Sequence, residues 1–228
     1  MYNNNHSMQQ IATNFMYKVY GWMSLALALT GITAFAVANT AMVYTLARSS
    51  GLLFLLCLIQ LGLVFFLSAF INKMELGTAI TSFVSYAILT GLGFSTLFLV
   101  YTGESLASTF LITAGMFGAM ALYGYFTKSD LTQMGSILMM ALFGLIITMV
   151  VNMFMQSSTL AIMIAALGVL IFAGLTAYDV QKIKSLSYQL LDEGQMRSKV
   201  AILGALTLYL DFINLFLMLL QFTGKRRD

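Results

Sequence analysis

The sequence predicts an all-α membrane protein with about seven transmembrane helices, and three observations support this fold class. Hydrophobic residues make up 60% of the 228 positions and charged residues only 8%, whereas soluble domains carry about 25% charged residues. The charges lie in short clusters, and the apolar runs between them reach the ~18 residues that mark a spanning helix. Proline, which kinks or breaks helices, is absent. Lipid is therefore the expected solvent of most of the chain.

The pattern of apolar runs predicts one multi-pass domain between two short tails. We expect a polar N-terminal tail over residues 1–18, a transmembrane domain over 19–223 and a basic C-terminal tail over 224–228. Short polar turns separate most spans, and the one long charged connection runs from Asp179 to Lys199. The predicted spans are 19–37, 51–71, 77–100, 106–126, 134–155, 160–178 and 200–222.

The distribution of basic residues predicts a cytoplasmic N-terminus. Loops on the cytoplasmic side of a membrane protein carry an excess of Lys and Arg. With seven spans and the N-terminus inside, seven of the 11 basic residues fall on the inner side. The basic C-terminal tail then lies outside, unless the last segment re-enters the membrane or one span is misassigned. The inner set is Lys18, Lys73, Lys128, Lys182, Lys184, Arg197 and Lys199, and the outer set is Arg48, Lys225, Arg226 and Arg227.

Several classes of function find no support in the sequence. The net charge of +3 comes from residues at segment ends and forms no basic stripe of the kind that follows nucleic acid. The single cysteine, Cys57, excludes an intramolecular disulfide. We find no phosphate loop, nucleotide motif or cluster of metal ligands, so we expect no organic cofactor and no enzymatic activity.

Small residues at helix-contact spacing predict sites of close helix packing. One set is Gly91 with Gly93, and the other is Gly115 with Gly118 and Ala119. In lipid, such residues let the backbones of two helices approach each other.

Asp211 is the residue that fits least well in lipid. It lies near the middle of the seventh predicted span, and no neighbour in sequence neutralises it. A charged residue at the centre of a membrane helix costs at least about 2.5–3.5 kcal/mol. We therefore expect Asp211 to face the interior of the helix bundle and to have a partner there.

A polar stripe supports an interior position for the last helix. Thr207, Asp211 and Asn214 follow Gly204 at intervals of three and four residues, so they share one face. We interpret Thr207 and Asn214 as a supporting polar stripe for Asp211. Because this helix carries its polar side toward its neighbours, we expect the C-terminal helix to be central in the bundle.

Asp179, at the end of the sixth predicted span, is the candidate partner. If the two carboxylates meet ~4 Å apart, their charges repel by about 4 kcal/mol at an effective dielectric constant near 20. The pair would then titrate as one unit, sharing a proton in acid and repelling in alkali. It would also offer oxygen ligands to a hard cation such as Ca²⁺. If they meet, Asp179 and Asp211 would form a pH-dependent switch of helix packing and a candidate Ca²⁺ site.

Two C-terminal segments resemble the signatures of the Bax inhibitor-1 family, also called TMBIM or LFG. They are GLTAYDVQKIK over 174–184 and GALTLYLDFINLF over 204–216. Tyr20-Gly21-Trp22 is similar to the bacterial branch of that family, which implies the bacterial inner membrane. The resemblance extends over nearly the whole chain.

The resemblance implies seven helices with the last one central, and a cation leak, chiefly of calcium, with Asp179 and Asp211 as its pH sensor. It also implies that an arginine and a glutamate on the second helix assist gating. This sequence has only Gln60 near the place of the glutamate, and Lys73 just beyond the end of the helix. These two residues are the candidate gating contacts.

Two alternatives to the leak remain open. The first is a non-catalytic regulator that binds membrane proteins or a membrane-bound protease, since bacterial relatives are linked to such a protease. The second is an intramembrane aspartyl protease, which would use one carboxyl group as acid and the other as base. The second alternative is weaker, because such enzymes have Gly-x-Gly-Asp where this chain has Leu208-Tyr-Leu-Asp211, and because their Pro-Ala-Leu segment is missing.

Overall fold

Long α-helices form most of the chain in a computed structural model that describes residues 2–189 and 194–227, with side chains from residue 10 onward. No strand is present in the described ranges. The helices, in chain order, are α1 (Tyr2–Ala38), α2 (Met42–Arg48), α3 (Ser50–Phe70), α4 (Leu76–Ser95), α5 (Leu97–Val100), α6 (Gly103–Phe126), α7 (Thr132–Met155), α8 (Ser158–Gln189) and α9 (Gln195–Thr223).

Seven of these helical segments are long and apolar enough to cross a membrane, which confirms the predicted fold class. Several extend beyond the predicted limits, because a helix without proline continues past the hydrocarbon into water. The predicted connection 179–199 is mostly helical instead, since α8 continues to Gln189 and α9 begins at Gln195. Residues 190–193 lie outside the described residues. The spans are Gln10–Ala38, Ser50–Phe70, Leu76–Val100, Gly103–Phe126, Thr132–Met155, Ser158–Gln189 and Gln195–Thr223.

The polar N-terminal segment is helical, whereas the sequence suggested a tail without periodicity. Ala12, Phe15, Met16 and Val19 are all at most 2% exposed. They stand at positions i, i+3, i+4 and i+7, the spacing of one apolar helix face. Burial of this face extends α1 from the first span toward the N-terminus. The polar residues between these four positions obscured the helical periodicity in the sequence.

Contacts divide the chain into two compact units, and α9 contributes to both of them. Within the described residues, the first unit comprises the chain up to Tyr101, most of Leu186–Tyr209, and Arg227. The second unit comprises Thr102–Ser185 and Leu210–Arg226. In the apolar 18-residue window of α9, 67% of the residues are buried, against 6% in the windows of α3 and α7. This burial agrees with an interior position for the last helix.

Tyr209 is the centre of the first unit. Its side chain is fully buried, and its hydroxyl lies 2.7 Å from Thr30 Oγ1. Thr30 Oγ1 is also 2.9 Å from the carbonyl oxygen of Ala87. The rings of Phe83 and Tyr86 pack edge-on against the Tyr209 ring at centroid distances of 6.1 and 5.8 Å. These contacts fasten α9 to α1 and α4, and sequence patterns gave no sign of them.

Glycines mark the closest helix approaches in the second unit, but not the glycines that the sequence suggested. A Cβ atom at Gly124 of α6 would collide with the carbonyl oxygen of Ala177 in α8. One at Gly135 of α7 would strike the Tyr178 ring. Gly115 and Gly118 have nothing within 4 Å of such an atom, so the packing role predicted for them is wrong. Their spacing is that of a contact motif, but spacing does not show which face of a helix meets a neighbour.

The other predicted pair lies in the first unit. A Cβ atom at Gly91 would lie 2.6 Å from Thr33 Cβ and 2.7 Å from the Thr30 carbonyl oxygen, so close packing there is confirmed. At Gly93 it would make an ordinary contact of 3.4 Å with Leu56.

The C-terminal tail folds back onto the start of α6. The Thr102 N–H donates to the Lys225 carbonyl oxygen at 3.3 Å, and the Lys225 N–H donates to Ser105 Oγ at 2.9 Å. The Arg227 N–H donates to the Val100 carbonyl oxygen at 2.8 Å. The tail therefore lies on the same side of the membrane as the connection between the third and fourth spans. Because the chain has seven spans, α1 begins on the opposite side.

The Gly124 contact predicts that Gly124→Ala lowers stability. The added methyl must displace the α8 backbone, and overpacking of this kind costs about 1–3 kcal/mol. Gly118→Ala, on the same helix, is the matched control and should be neutral or slightly stabilising, because alanine is the better helix former. Thermal unfolding of the two purified proteins in detergent compares them. Equal midpoints would show that the close approach at Gly124 is not real.

Candidate functional site: the Asp179–Asp211 pair

The structure brings together the two acids that the sequence singled out. Asp179 lies on α8 and Asp211 on α9, and within the second unit their carboxyl groups are close enough to interact directly. Side chains on a helix tilt toward its N-terminus. Because consecutive spans run antiparallel, the Asp179 side chain tilts into the membrane and the Asp211 side chain tilts toward the end where Asp179 lies. The two carboxyl groups therefore converge.

We expect the pair to hold one proton. Asp211 is 6% exposed, and Asp179 is half-buried. Two carboxylates have no hydrogen atom to share, and their charges would repel by about 4 kcal/mol at ~4 Å. Asp211 Oδ2 is buried and has no hydrogen-bond partner among the described residues. A neutral, protonated carboxyl group satisfies this arrangement better than a second charge, since an unpaired buried charge is far more costly.

Asp211 is buried, and the residue after it on α9, Phe212, is part of an aromatic cluster. The Phe212 ring lies between those of Phe110 and Phe117 of α6, at centroid distances of 5.3 and 5.5 Å. Thr176, a turn before Asp179, is buried, but its hydroxyl donates to the Phe172 carbonyl oxygen of its own helix at 2.8 Å. Such surroundings strengthen the electrostatic interactions inside the pair, because little water is present to screen them.

Lys182 is the cation that acts on the pair from the membrane surface. It follows Asp179 by three residues, on the same side of α8, so its positive charge lies near the Asp179 carboxyl group. Its ammonium also lies 5.6 Å from the centre of the Tyr178 ring. The two acids are therefore inequivalent, since Asp179 is half-buried with a cation beside it and Asp211 is buried.

A clamp at the end of α8 holds Asp179 in place, and the sequence analysis did not find it. Gln181 Nε2 donates to the Ser129 carbonyl oxygen at 2.8 Å, and Gln181 Oε1 accepts from the Leu131 N–H at 2.9 Å. Lys184 Nζ donates to the Tyr125 carbonyl oxygen at 2.7 Å and lies 4.2 Å from the Tyr125 ring centre. The turn between α6 and α7 is thereby tied to α8. Only the polar character of the segment 181–184 hinted at this clamp.

Asp130, in the same turn, is an ordinary surface acid. Its Oδ1 accepts hydrogen bonds from the Thr132 hydroxyl at 2.6 Å and the Thr132 N–H at 2.9 Å. These bonds lower the pKa of Asp130, so it remains ionised at neutral pH. It is therefore a suitable comparison for the buried pair.

The predicted polar stripe is on α9, but its members bond to their own helix. The Thr207 hydroxyl donates to the Leu203 carbonyl oxygen at 3.1 Å, and Asn214 Nδ2 donates to the Leu210 carbonyl oxygen at 2.8 Å. These bonds satisfy the polar groups without the help of Asp211. A supporting role for Thr207 and Asn214 stays a prediction.

The candidate gating contacts both lie in the first unit. Gln60 lines a groove of about 260 Å³ between α3 and α4, together with Thr90. Lys73 is exposed in the turn after α3. The carbonyl oxygens of Asn72 and Met74 in the same turn accept hydrogen bonds from the buried Lys199 of α9, at 3.5 and 3.1 Å. Gating by Gln60 or Lys73 stays a prediction.

The pair is a weak set of ligands for a resident metal ion. The described part of the chain contains no group of three or more His, Cys, Asp or Glu residues placed to hold a metal. Ca²⁺ takes six to eight oxygen ligands, so two carboxyl groups would leave most of its shell to water. The arrangement is suited to brief contact with a cation.

The shared proton predicts a pH-dependent stability that Asp211→Asn removes. The folded pair holds a proton that separated aspartates release near pH ~3.9, so the folded state binds more protons and loses stability as pH rises. We expect the free energy of unfolding of the unaltered protein to decrease from about pH 6 to about pH 8, by at most about 1.4 kcal/mol per pH unit. Asp211→Asn should flatten this slope, since an amide donates to the Asp179 carboxylate without a proton. Asp130→Asn is the control and should keep the slope; an unchanged slope in Asp211→Asn would argue against proton sharing.

The chain is similar in sequence to known proteins over nearly its whole length. Residues 12–228 match the family described as "Inhibitor of apoptosis-promoting Bax1". Inner membrane protein YbhL of Escherichia coli is 49% identical over 216 residues, which cover 93% of this chain and 92% of that protein. A protein of Borreliella burgdorferi is 45% identical over 219 residues, 96% of this chain and 94% of its own length. YrjE of Lactococcus lactis is 37% identical over 213 residues, 92% of this chain and 90% of its own length. The chain therefore belongs to the Bax inhibitor-1 family of multi-pass membrane proteins.

Proposed function

We propose that this protein is a pH-sensitive cation leak, with calcium as the expected ion, gated by Asp179 and Asp211. The observation that carries the proposal is the close approach of the two carboxyl groups, one of them buried in a membrane-spanning helix. Ionisable residues inside membrane segments mark ion pathways and proton relays more often than they serve packing.

The pair works as a two-state element. With one shared proton, the hydrogen bond holds α8 against α9. Without it, two charges in apolar surroundings repel by about 4 kcal/mol, which is enough to shift a two-state equilibrium by about a thousandfold. A cation at the carboxylates relieves the same repulsion, so protons and cations compete for one site. Flux should therefore depend on pH through these two residues.

Calcium fits the chemistry of the site as cargo. Carboxylate oxygens are the ligands that hard cations prefer. Two carboxylates without a third protein acid bind such an ion weakly, and a conducting site must release its ion as readily as it takes it up. The proposed role needs no cofactor and no catalytic step.

The proposed location is the bacterial inner membrane, with the N-terminus in the cytoplasm. The related Escherichia coli protein is named an inner membrane protein. The excess of Lys and Arg at the N-terminal end of the bundle supports this orientation.

An intramembrane aspartyl protease would also need two adjacent carboxyl groups, and this geometry alone favours that second candidate. Leu208-Tyr-Leu before Asp211 and the absence of proline argue against it. Cleavage of a transmembrane substrate that is lost in Asp211→Asn would support the protease. A non-catalytic regulator of a membrane protease would instead keep its partner when both acids are replaced.

The leak is tested with purified protein in vesicles that enclose a calcium indicator. We expect calcium entry above that of empty vesicles, with a rate that depends on pH. Asp179→Asn and Asp211→Asn should each change the rate and flatten the pH profile, because an amide neither titrates nor repels.

Asp130→Asn, which removes an exposed acid, is the matched control and should behave as the unaltered protein does. The proposal fails if both pair variants keep the flux and the pH profile of the unaltered protein. It also fails if no protein-dependent flux occurs at any pH.

A further inference from the structure

A basic cavity lies in the first unit, apart from the acid pair. It has a volume of about 410 Å³ and is lined by residues of α1 and by Arg197 at the start of α9. Among the described residues, its lining contains two cations, Lys18 and Arg197, and no carboxylate. The remaining lining residues are Ile11, Asn14, Phe15 and Tyr17.

The two cations differ in exposure. Arg197 is 9% exposed, whereas Lys18 is exposed. A guanidinium presents five donors in a rigid fork that matches the oxygens of a phosphate group. Arg197 is also in the first turn of α9, which contains no acidic residue, and the N-terminus of a helix favours negative charge. Asn14 and Tyr17 add polar side chains to the same wall.

The cavity lies at the level of the lipid headgroups. The hydrocarbon layer is about 30 Å thick, or about 20 helical residues. If the hydrocarbon layer begins at Ala38, at the far end of α1, twenty residues back along the helix place its other surface near Lys18. The same count from Thr223 places Arg197 about 9 Å beyond the hydrocarbon. Tyr17 is 72% exposed, as expected of an aromatic residue at a membrane interface.

We propose that this cavity binds the phosphate of an anionic group, and that the source is the headgroup of an anionic phospholipid. Its volume, its two cations and its depth all suit a headgroup whose acyl chains lie along α1. A soluble phosphate is the other source of the same chemistry. The site does not depend on the proposed leak, because it shares no residue with the acid pair.

The chain contains a reporter for this site. Trp22 is the only tryptophan and follows Lys18 by one helical turn on the same face of α1. Brominated acyl chains quench tryptophan fluorescence on contact. Vesicles with brominated phosphatidylglycerol, compared with brominated phosphatidylcholine, therefore measure how strongly the full-length protein prefers the anionic lipid beside Trp22.

We expect quenching by phosphatidylglycerol to exceed quenching by phosphatidylcholine in the unaltered protein. Lys18→Gln should reduce the preference roughly fivefold, the effect of one basic residue near an anionic surface. Arg197→Gln should reduce it by about tenfold or more, and Arg197→Lys less, because the charge is kept and the fork is lost. Lys128→Gln removes an exposed lysine from the same side of the membrane and should have no effect.

The remaining outcomes are also decisive. If inorganic phosphate at millimolar concentration abolishes the preference, the cavity is a phosphate site with a soluble source. If it does not, the source is the lipid. Equal quenching by the two lipids, or a preference that persists in both Lys18→Gln and Arg197→Gln, overturns the proposal. Lys18 is exposed, so Lys18→Gln tests the site even if replacement of Arg197 prevents folding.

Discussion

The shared proton between Asp179 and Asp211 is the interaction on which this account of the protein depends. Most of the chain is arranged to keep charge out of the membrane, and Asp211 is the exception. A carboxylate alone at that depth would be costly. Its neighbour on α8 makes a second charge costlier still, so the fold is most stable with one proton on the pair. Proton binding is thereby coupled to the packing of two adjacent helices.

The surrounding structure makes this coupling possible. Glycines at Gly124 and Gly135 let α6 and α7 approach α8 closely, so α8 has little freedom near Asp179. Gln181 and Lys184 fix the end of the same helix to the turn between α6 and α7. A change in the repulsion between the two acids therefore acts on α8 while close packing and hydrogen bonds hold that helix in place. The response expected is a shift between two packed arrangements, because packed cores are not continuously deformable.

Hydropathy and charge placement were sufficient to predict the seven spans and the burial of Asp211, because lipid leaves few alternatives for a long apolar run. The pairing with Asp179 rested on the resemblance to the family, since spacing along the chain does not show which helices touch. The bonds of Tyr209 with Thr30, and the contact of Gly124 with Ala177, join residues far apart in sequence. Single-sequence patterns carry no information on such pairs. The helical N-terminus was missed for a different reason, because its four apolar contacts are interspersed among polar residues.

Infrared spectroscopy tests the shared proton most directly, because a protonated carboxyl group has a carbonyl stretch that a carboxylate lacks. Exposed aspartates and glutamates are ionised at neutral pH, so the pair should supply this band. We expect a protonated-carboxyl band at neutral pH in the unaltered protein, and its loss or displacement in both Asp179→Asn and Asp211→Asn. A spectrum without the band, or one in which the band persists unchanged in both variants, would contradict it.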